Sequence, residues 1–148
     1  MTDRTDTSQT ETLWFDFELE YPPEKVWRTL TEPDLLRRWL LPVFDLELEP
    51  GVAFTFRSEP MPEWDGVVHC RILEIDEPVK LSYAWVVGDM DTVVTFTLTP
   101  TDSGTLMSLV HSGFREDQKR NWGGARYGWK MMGGRLVELL ATTGQEVR

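Results

Sequence analysis

Apolar and polar residues alternate strictly from Leu13 to Leu19, which puts Leu13, Phe15, Phe17 and Leu19 on one side and Trp14, Asp16 and Glu18 on the other. A period of two is the mark of a strand with one buried face. Tyr21-Pro22-Pro23 breaks the alternation, and Val26, Trp27 and Leu30 then share the face of a helix whose first turn carries Pro23 and Glu24. Pro33 restarts the chain as a second short helix with the stripe Leu36, Trp39 and Leu40, and both helices end before Pro42. Period two then returns. Strands are expected around residues 46–49, 52–56, 64–75, 81–85, 94–99 and 105–111, separated by turns at Pro50-Gly51, Asp76-Glu77-Pro78 and residues 100–104. Such short connections imply an antiparallel meander, because parallel neighbours need long crossovers. From about Glu116 to Thr142 the spacing changes to three and four, through Trp122, Ala125, Trp129, Met132, Leu136, Leu139 and Leu140. This is one face of a long helix, for which Gly144 is the expected stop.

These elements define an α+β domain in which an antiparallel sheet of about seven strands buries its apolar face against the long C-terminal helix. A twisted sheet wrapped around a helix leaves a hollow unless bulky side chains fill it. The 148 residues suit one domain. The expected layout is a disordered polar leader over residues 1–12, the domain over 13–142 and a tail over 143–148. Seven Trp, seven Phe and three Tyr exceed what a routine core requires. The net charge of −10 argues against nucleic acid as a partner, and the acidic excess lies before Arg115, with the last segment mildly basic. No apolar run is long enough to insert in a membrane, and the leader resembles no signal peptide, so a cytoplasmic setting is expected.

Candidate chemistry is sparse. Cys70 is the lone cysteine, and no ligand spacing suggests a metal or other cofactor. His69 and Cys70 are neighbours on a strand and point to opposite faces, which rules against a nucleophile pair. Arg71 shares the His69 face; if that face lined a cavity it would favour a carboxylate or phenolate. His111 shares a face with Met107 and Leu109 and is the weak candidate for a catalytic proton carrier. Trp39, Phe54, Phe56, Trp64, Tyr83, Trp85, Phe96, Trp122 and Trp129 come from separate elements whose apolar faces converge, and of these Trp39, Phe56, Trp64, Trp85, Phe96, Trp122 and Trp129 are the expected walls. Together with Met107, Met131 and Met132 they could wall a pocket for a planar ligand, with Tyr83 and His111 as polar contacts. Glycines at 123, 124, 128, 133 and 134 within the long helix would let it approach the sheet closely or leave room for that ligand.

In order along the chain, Pro23-Glu24-Lys25-Val26-Trp27 with Leu30-Thr31-Glu32-Pro33, Leu73-Glu74-Ile75-Asp76 before Leu81-Ser82-Tyr83-Ala84-Trp85, Val93-Val94-Thr95-Phe96, His111-Ser112-Gly113-Phe114 and Gly128-Trp129 resemble the activator of Hsp90 ATPase homologue 1-like family. That family lies within the START-like (SRPBCC, helix-grip) superfamily, which includes polyketide cyclases. The resemblance implies a sheet gripping the C-terminal helix, an apolar cavity between them opening near the short helices and strand loops, and a hydrophobic or amphipathic ligand. The expected function is binding of a small hydrophobic or aromatic molecule, with no evident catalytic centre, by a monomer or weak homodimer. A cyclase-like enzyme using His111, and a chaperone-associated protein-interaction module using the basic helix with Arg126 and Lys130, are the alternatives.

Overall fold

The computed structural model describes residues 1–8 and 10–146. Eight strands, β1 (Thr2–Asp3), β2 (Thr12–Leu19), β3 (Val43–Phe44), β4 (Ala53–Arg57), β5 (Val67–Asp76), β6 (Lys80–Val87), β7 (Met90–Thr101) and β8 (Gly104–Ser112), form one antiparallel sheet. Helices α1 (Pro23–Thr31) and α2 (Pro33–Trp39) follow β2, and a 3-10 turn at Glu116–Gln118 leads into α3 (Lys119–Glu146). The strands lie in the order β1-β2-β8-β7-β6-β5-β4-β3, so β3 to β8 meander in chain order and β2 closes against β8. The result is a helix-grip α+β fold, with α3 on the inward face of the sheet.

Register turns the alternation into a core. Phe15 pairs with Leu109, Leu109 with Phe96, Phe96 with Leu81 and Leu81 with Ile75, one inward row crossing five strands. The adjacent row runs Leu13, His111, Val94, Tyr83 and Ile72. Its members are all buried, and each large apolar side chain so placed contributes about 1.5–3 kcal/mol. The first two helices begin at Pro23 and Pro33, where a missing N–H costs no hydrogen bond. Lys25 Nζ donates to the Leu140 carbonyl at 3.0 Å, fastening α1 to the far end of α3.

Four departures from the sequence expectation have local causes. The leader is ordered where it meets the sheet: Thr2 and Asp3 pair with Asp16 and Phe15, and the Asp3 carboxylate binds Arg126 at 2.8 Å and Lys130 at 3.1 Å. Leu46 and Leu48 are in no strand, because Asp45 adopts φ 65° and turns the chain off the sheet after β3. Trp64 precedes β5 rather than starting it, held in a tight loop in which Met61 and Trp64 exchange backbone hydrogen bonds. The helix passes through Gly144, which keeps a helical conformation, to Glu146; of the expected tail, residues 147 and 148 lie outside the described residues.

Among the α3 glycines, Gly133 is the one a close approach requires. A Cβ there would stand 2.8 Å from the Phe17 ring, which is itself buried on β2. At Gly124 a Cβ would meet nothing within 4 Å. Gly133→Ala is therefore expected to lower stability by about 1–3 kcal/mol through overpacking, whereas Gly124→Ala should raise it by about 1 kcal/mol through helix propensity. Urea unfolding of the two variants checks this, and stabilisation by both would refute the close-packing account.

Candidate functional site

The inward faces of β4, β6 and β7 and one face each of α2 and α3 bring a set of aromatic rings together. Phe54 and Tyr83 meet at 5.3 Å between centroids, Phe56 and Trp85 at 5.6 Å, and Tyr83 and Phe96 at 6.2 Å. Trp129 from α3 reaches Trp85 at 5.5 Å and Phe96 at 6.3 Å, and Trp39 from α2 meets Phe96 edge-on at 6.4 Å. Edge-to-face and tilted pairs of this kind suit the ring quadrupoles. The space between helix and sheet is thus occupied, in this arrangement, by the protein's own rings. Met107 lies fully buried in the neighbouring row, level with Phe17 and Leu98.

His111 sits among these rings in a polar chain. Trp129 Nε1 donates to His111 Nδ1 at 2.9 Å, and Thr92 Oγ1 donates to the Trp85 carbonyl at 2.6 Å. With that hydroxyl proton spent, the 2.7 Å contact between Thr92 Oγ1 and His111 Nε2 requires the imidazole to donate. The ring is therefore the neutral Nε2–H tautomer, and burial holds its pKa down to about 3. Both nitrogens are committed within the fold, so no lone pair is free to take a proton from a substrate. His111 works here as a strut between β7, β8 and α3.

Tyr83 differs. Its ring is buried amid Phe54, Phe56 and Phe96, and its hydroxyl makes no hydrogen bond to any described residue. Burial, with the neighbouring Cys70, raises its pKa well above the ordinary phenol value, so it stays a donor. Among the described residues, Trp27 Nε1 on α1 is the one buried side-chain donor without a partner. Burial also pushes the Cys70 thiol up to about 12, which leaves it inert as a nucleophile.

Other expected wall residues stand elsewhere. Trp122 is half-buried at the seam between α3 and β2, its Nε1 donating to the Thr12 carbonyl at 3.2 Å and its ring under the Arg126 guanidinium. Met132 is half-buried and packs against the margin of the core, whereas Met131 is exposed. Trp64 lies in the loop before β5, Nε1 donating to the Val67 carbonyl at 3.0 Å, and lines a groove of about 920 Å³. That groove runs from Met61 and Trp64 past Val87 and Asp89 to Asn121 in the first turn of α3, at one end of the grip. His69 and Arg71 face outward, away from α3. Arg126 and Lys130, suggested as a docking patch, are engaged by Asp3. Burial alone would raise the Asp3 pKa, but hydrogen bonds from Thr5, Lys130 and Arg126 outweigh it and hold the carboxyl near 2. Sequence reasoning counted Phe54 among the converging rings but left it out of the wall, and it missed Thr92 as the partner of His111. Phe54 was legible from its alternation with Phe56; Thr92 needed the register.

Among the described residues, no group of three or more His, Cys, Asp or Glu is placed to hold a metal ion, and no helix is long and apolar enough to cross a membrane. Residues 20–141 match the family described as Activator of Hsp90 ATPase homolog 1-like protein. The chain belongs to this family. Among solved structures, MLL2253 from Mesorhizobium loti is 38% identical, with 89% of this chain and 98% of that one covered at a TM-score of 0.83. CalU16 from Micromonospora echinospora shares the fold at 21% identity and a TM-score of 0.70, over 91% of this chain and 78% of that one. DynU16, a protein of the dynemicin biosynthetic locus, does so at 17% identity and a TM-score of 0.73, over 90% of this chain and 48% of that one. No curated protein matches the chain in sequence.

Within this family fold, the His111 strut has a measurable signature. Its folded pKa of about 3 lies below the ordinary 6.5, so the unfolded chain binds the extra proton first. The contribution is present in full above pH 6.5 and is lost as the pH falls from there toward 3. Urea midpoints should therefore drop between pH 6.5 and 4, and His111→Gln, less stable at pH 7.5, should show a flatter profile over that window. An equally steep profile in the variant would reject the buried neutral imidazole.

Proposed function

We propose that this chain binds a small hydrophobic molecule carrying an aromatic ring and a hydrogen-bonding group, seated between the sheet and α3 and entering by the groove beside Trp64. The observation that carries the reading is the Tyr83 hydroxyl, which makes no hydrogen bond to any described residue and belongs to a side chain set inside a shell of rings. A tyrosine so largely buried usually pairs its hydroxyl within the fold. A ligand oxygen accepting from Tyr83 would supply that bond, while Phe56, Trp85, Phe96 and Trp129 supply the apolar wall. The ring contacts between 5.3 and 6.4 Å are edge-on or tilted and can re-pack around a planar guest. Met61, Trp64 and Val87 give the groove an apolar approach to the same end of α3.

The helix-grip fold shared with CalU16 and DynU16 supports the architecture needed for such a site. Binding without chemistry fits the centre best, since His111 has both nitrogens engaged and the Cys70 thiol stays protonated. A panel of polycyclic phenols, with 2-naphthol as the reference probe, should quench Trp fluorescence saturably and raise the melting temperature. Tyr83→Phe should weaken binding about tenfold, the loss of one hydrogen bond of roughly 1.4 kcal/mol. Absence of quenching and of any melting shift across the panel would overturn the proposal.

A further inference from the structure

The outward face of the sheet carries a second hollow, of about 420 Å³, that the interior reading does not use. Its shape follows from register. Ala53 on β4 and Ala84 on β6 flank Arg71 on β5, so the long arginine stem lies in a trough between two methyl groups. One step along, His69 stands between Thr55 and Val86. Arg71 Nη1 donates to the Gly51 carbonyl at 2.6 Å, which fixes the guanidinium over the trough. Among the described residues, its other nitrogens and both His69 nitrogens have no partner. Asp45 lines the same hollow and pairs with neither Arg71 nor His69. It is also the one non-glycine residue with a positive φ, 65°, among the described residues, and such strained positions persist where the surroundings hold them.

We infer that this hollow is a binding site for a small aromatic carboxylate bearing a hydrogen-bond donor at the far end of its ring. Arg71 and His69 offer donors two residues apart on one strand face, the arrangement that suits a carboxylate's two oxygens. Ala53, Ala84 and Val86, with the Arg71 stem between the first two, give an apolar floor on which a ring can lie. The Asp45 carboxylate accepts the remaining donor and penalises a second negative charge. The site lies on the face of the sheet opposite α3 and meets the groove beside Trp64 at His69 and Val86.

The test uses 4-hydroxybenzoate on the full chain, read by calorimetry and by amide chemical shifts. Saturable binding with shifts confined to the outward residues of β4, β5 and β6 is expected. Arg71→Gln should weaken it at least tenfold, and Ala84→Leu, which crowds the trough beside Arg71 without changing the charge, should do the same. The neutral amide of the probe should also bind at least tenfold more weakly. Undiminished affinity in Arg71→Gln or Ala84→Leu, shifts centred on the inward rings, or no saturable binding would each overturn the inference. If Arg71→Gln does not fold, Ala84→Leu and the amide decide the matter.

Discussion

Trp129 is the contact on which the arrangement of helix and sheet depends. Its ring meets Trp85 and Phe96, and its indole N–H donates to His111, so one side chain supplies both apolar area and a directional bond. The bond gives the packing a register that dispersion alone would not. An indole that slid one turn along α3 would leave its own N–H and the His111 lone pair unpaired in a dry interior, each at a cost of about 1–3 kcal/mol. Thr92 completes the chain from β7 to β8 to α3 by accepting from the imidazole and donating to the Trp85 carbonyl. Gly133 then permits the approach, because any larger residue would press on the Phe17 ring.

Much of this fold was legible in the sequence because its two periods differ sharply. The alternation of Leu13, Phe15, Phe17 and Leu19 and the three-and-four spacing through Trp122, Trp129 and Leu136 each admit one kind of element. Where the reading failed, a single backbone conformation or a long-range pairing decided the outcome. Nothing local marks Asp45 as the point at which the chain leaves the sheet, since aspartate adopts both ordinary and left-handed backbone. Thr2 and Asp3 look like leader residues until α3 brings Arg126 and Lys130 to them. The candidate site was legible as a set of inward rings but not as a packed one: periodicity says which way Trp85 and Phe96 point, not whether their partners leave a gap between them. Trp122 and Met132 carry the right spacing and reach only the margin of the core, because the apolar stripe of α3 is wider than the surface the sheet covers.

Charge follows the same division. The acidic excess sits in the sheet and its loops and the mild basic excess in the terminal segment, and Asp3 is where the two meet inside the fold. The pair of cations on one carboxylate is partly shielded from solvent, so it is less weakened by salt than an ion pair in open water. It also holds the short β1 at the free edge of β2, where unpaired backbone groups would otherwise invite another strand.

The two faces of β5 show how one strand can serve different chemistry without conflict. Val68, Cys70 and Ile72 point inward and are buried, whereas His69 and Arg71 point outward. From Val68 to Ile72 the alternation keeps each charged residue out of the aromatic interior and admits each apolar one, until the register shift between Ile72 and Glu74 moves Ile75 to the inward side. The inward side is left with neutral donors such as the Tyr83 phenol and the His111 imidazole, whose burial keeps each uncharged. Recognition in the interior must then proceed through shape and single hydrogen bonds, while recognition of charge is restricted to the outer face. A ligand that carries both a ring and a full negative charge is sorted to the outside by the desolvation cost of entering the grip.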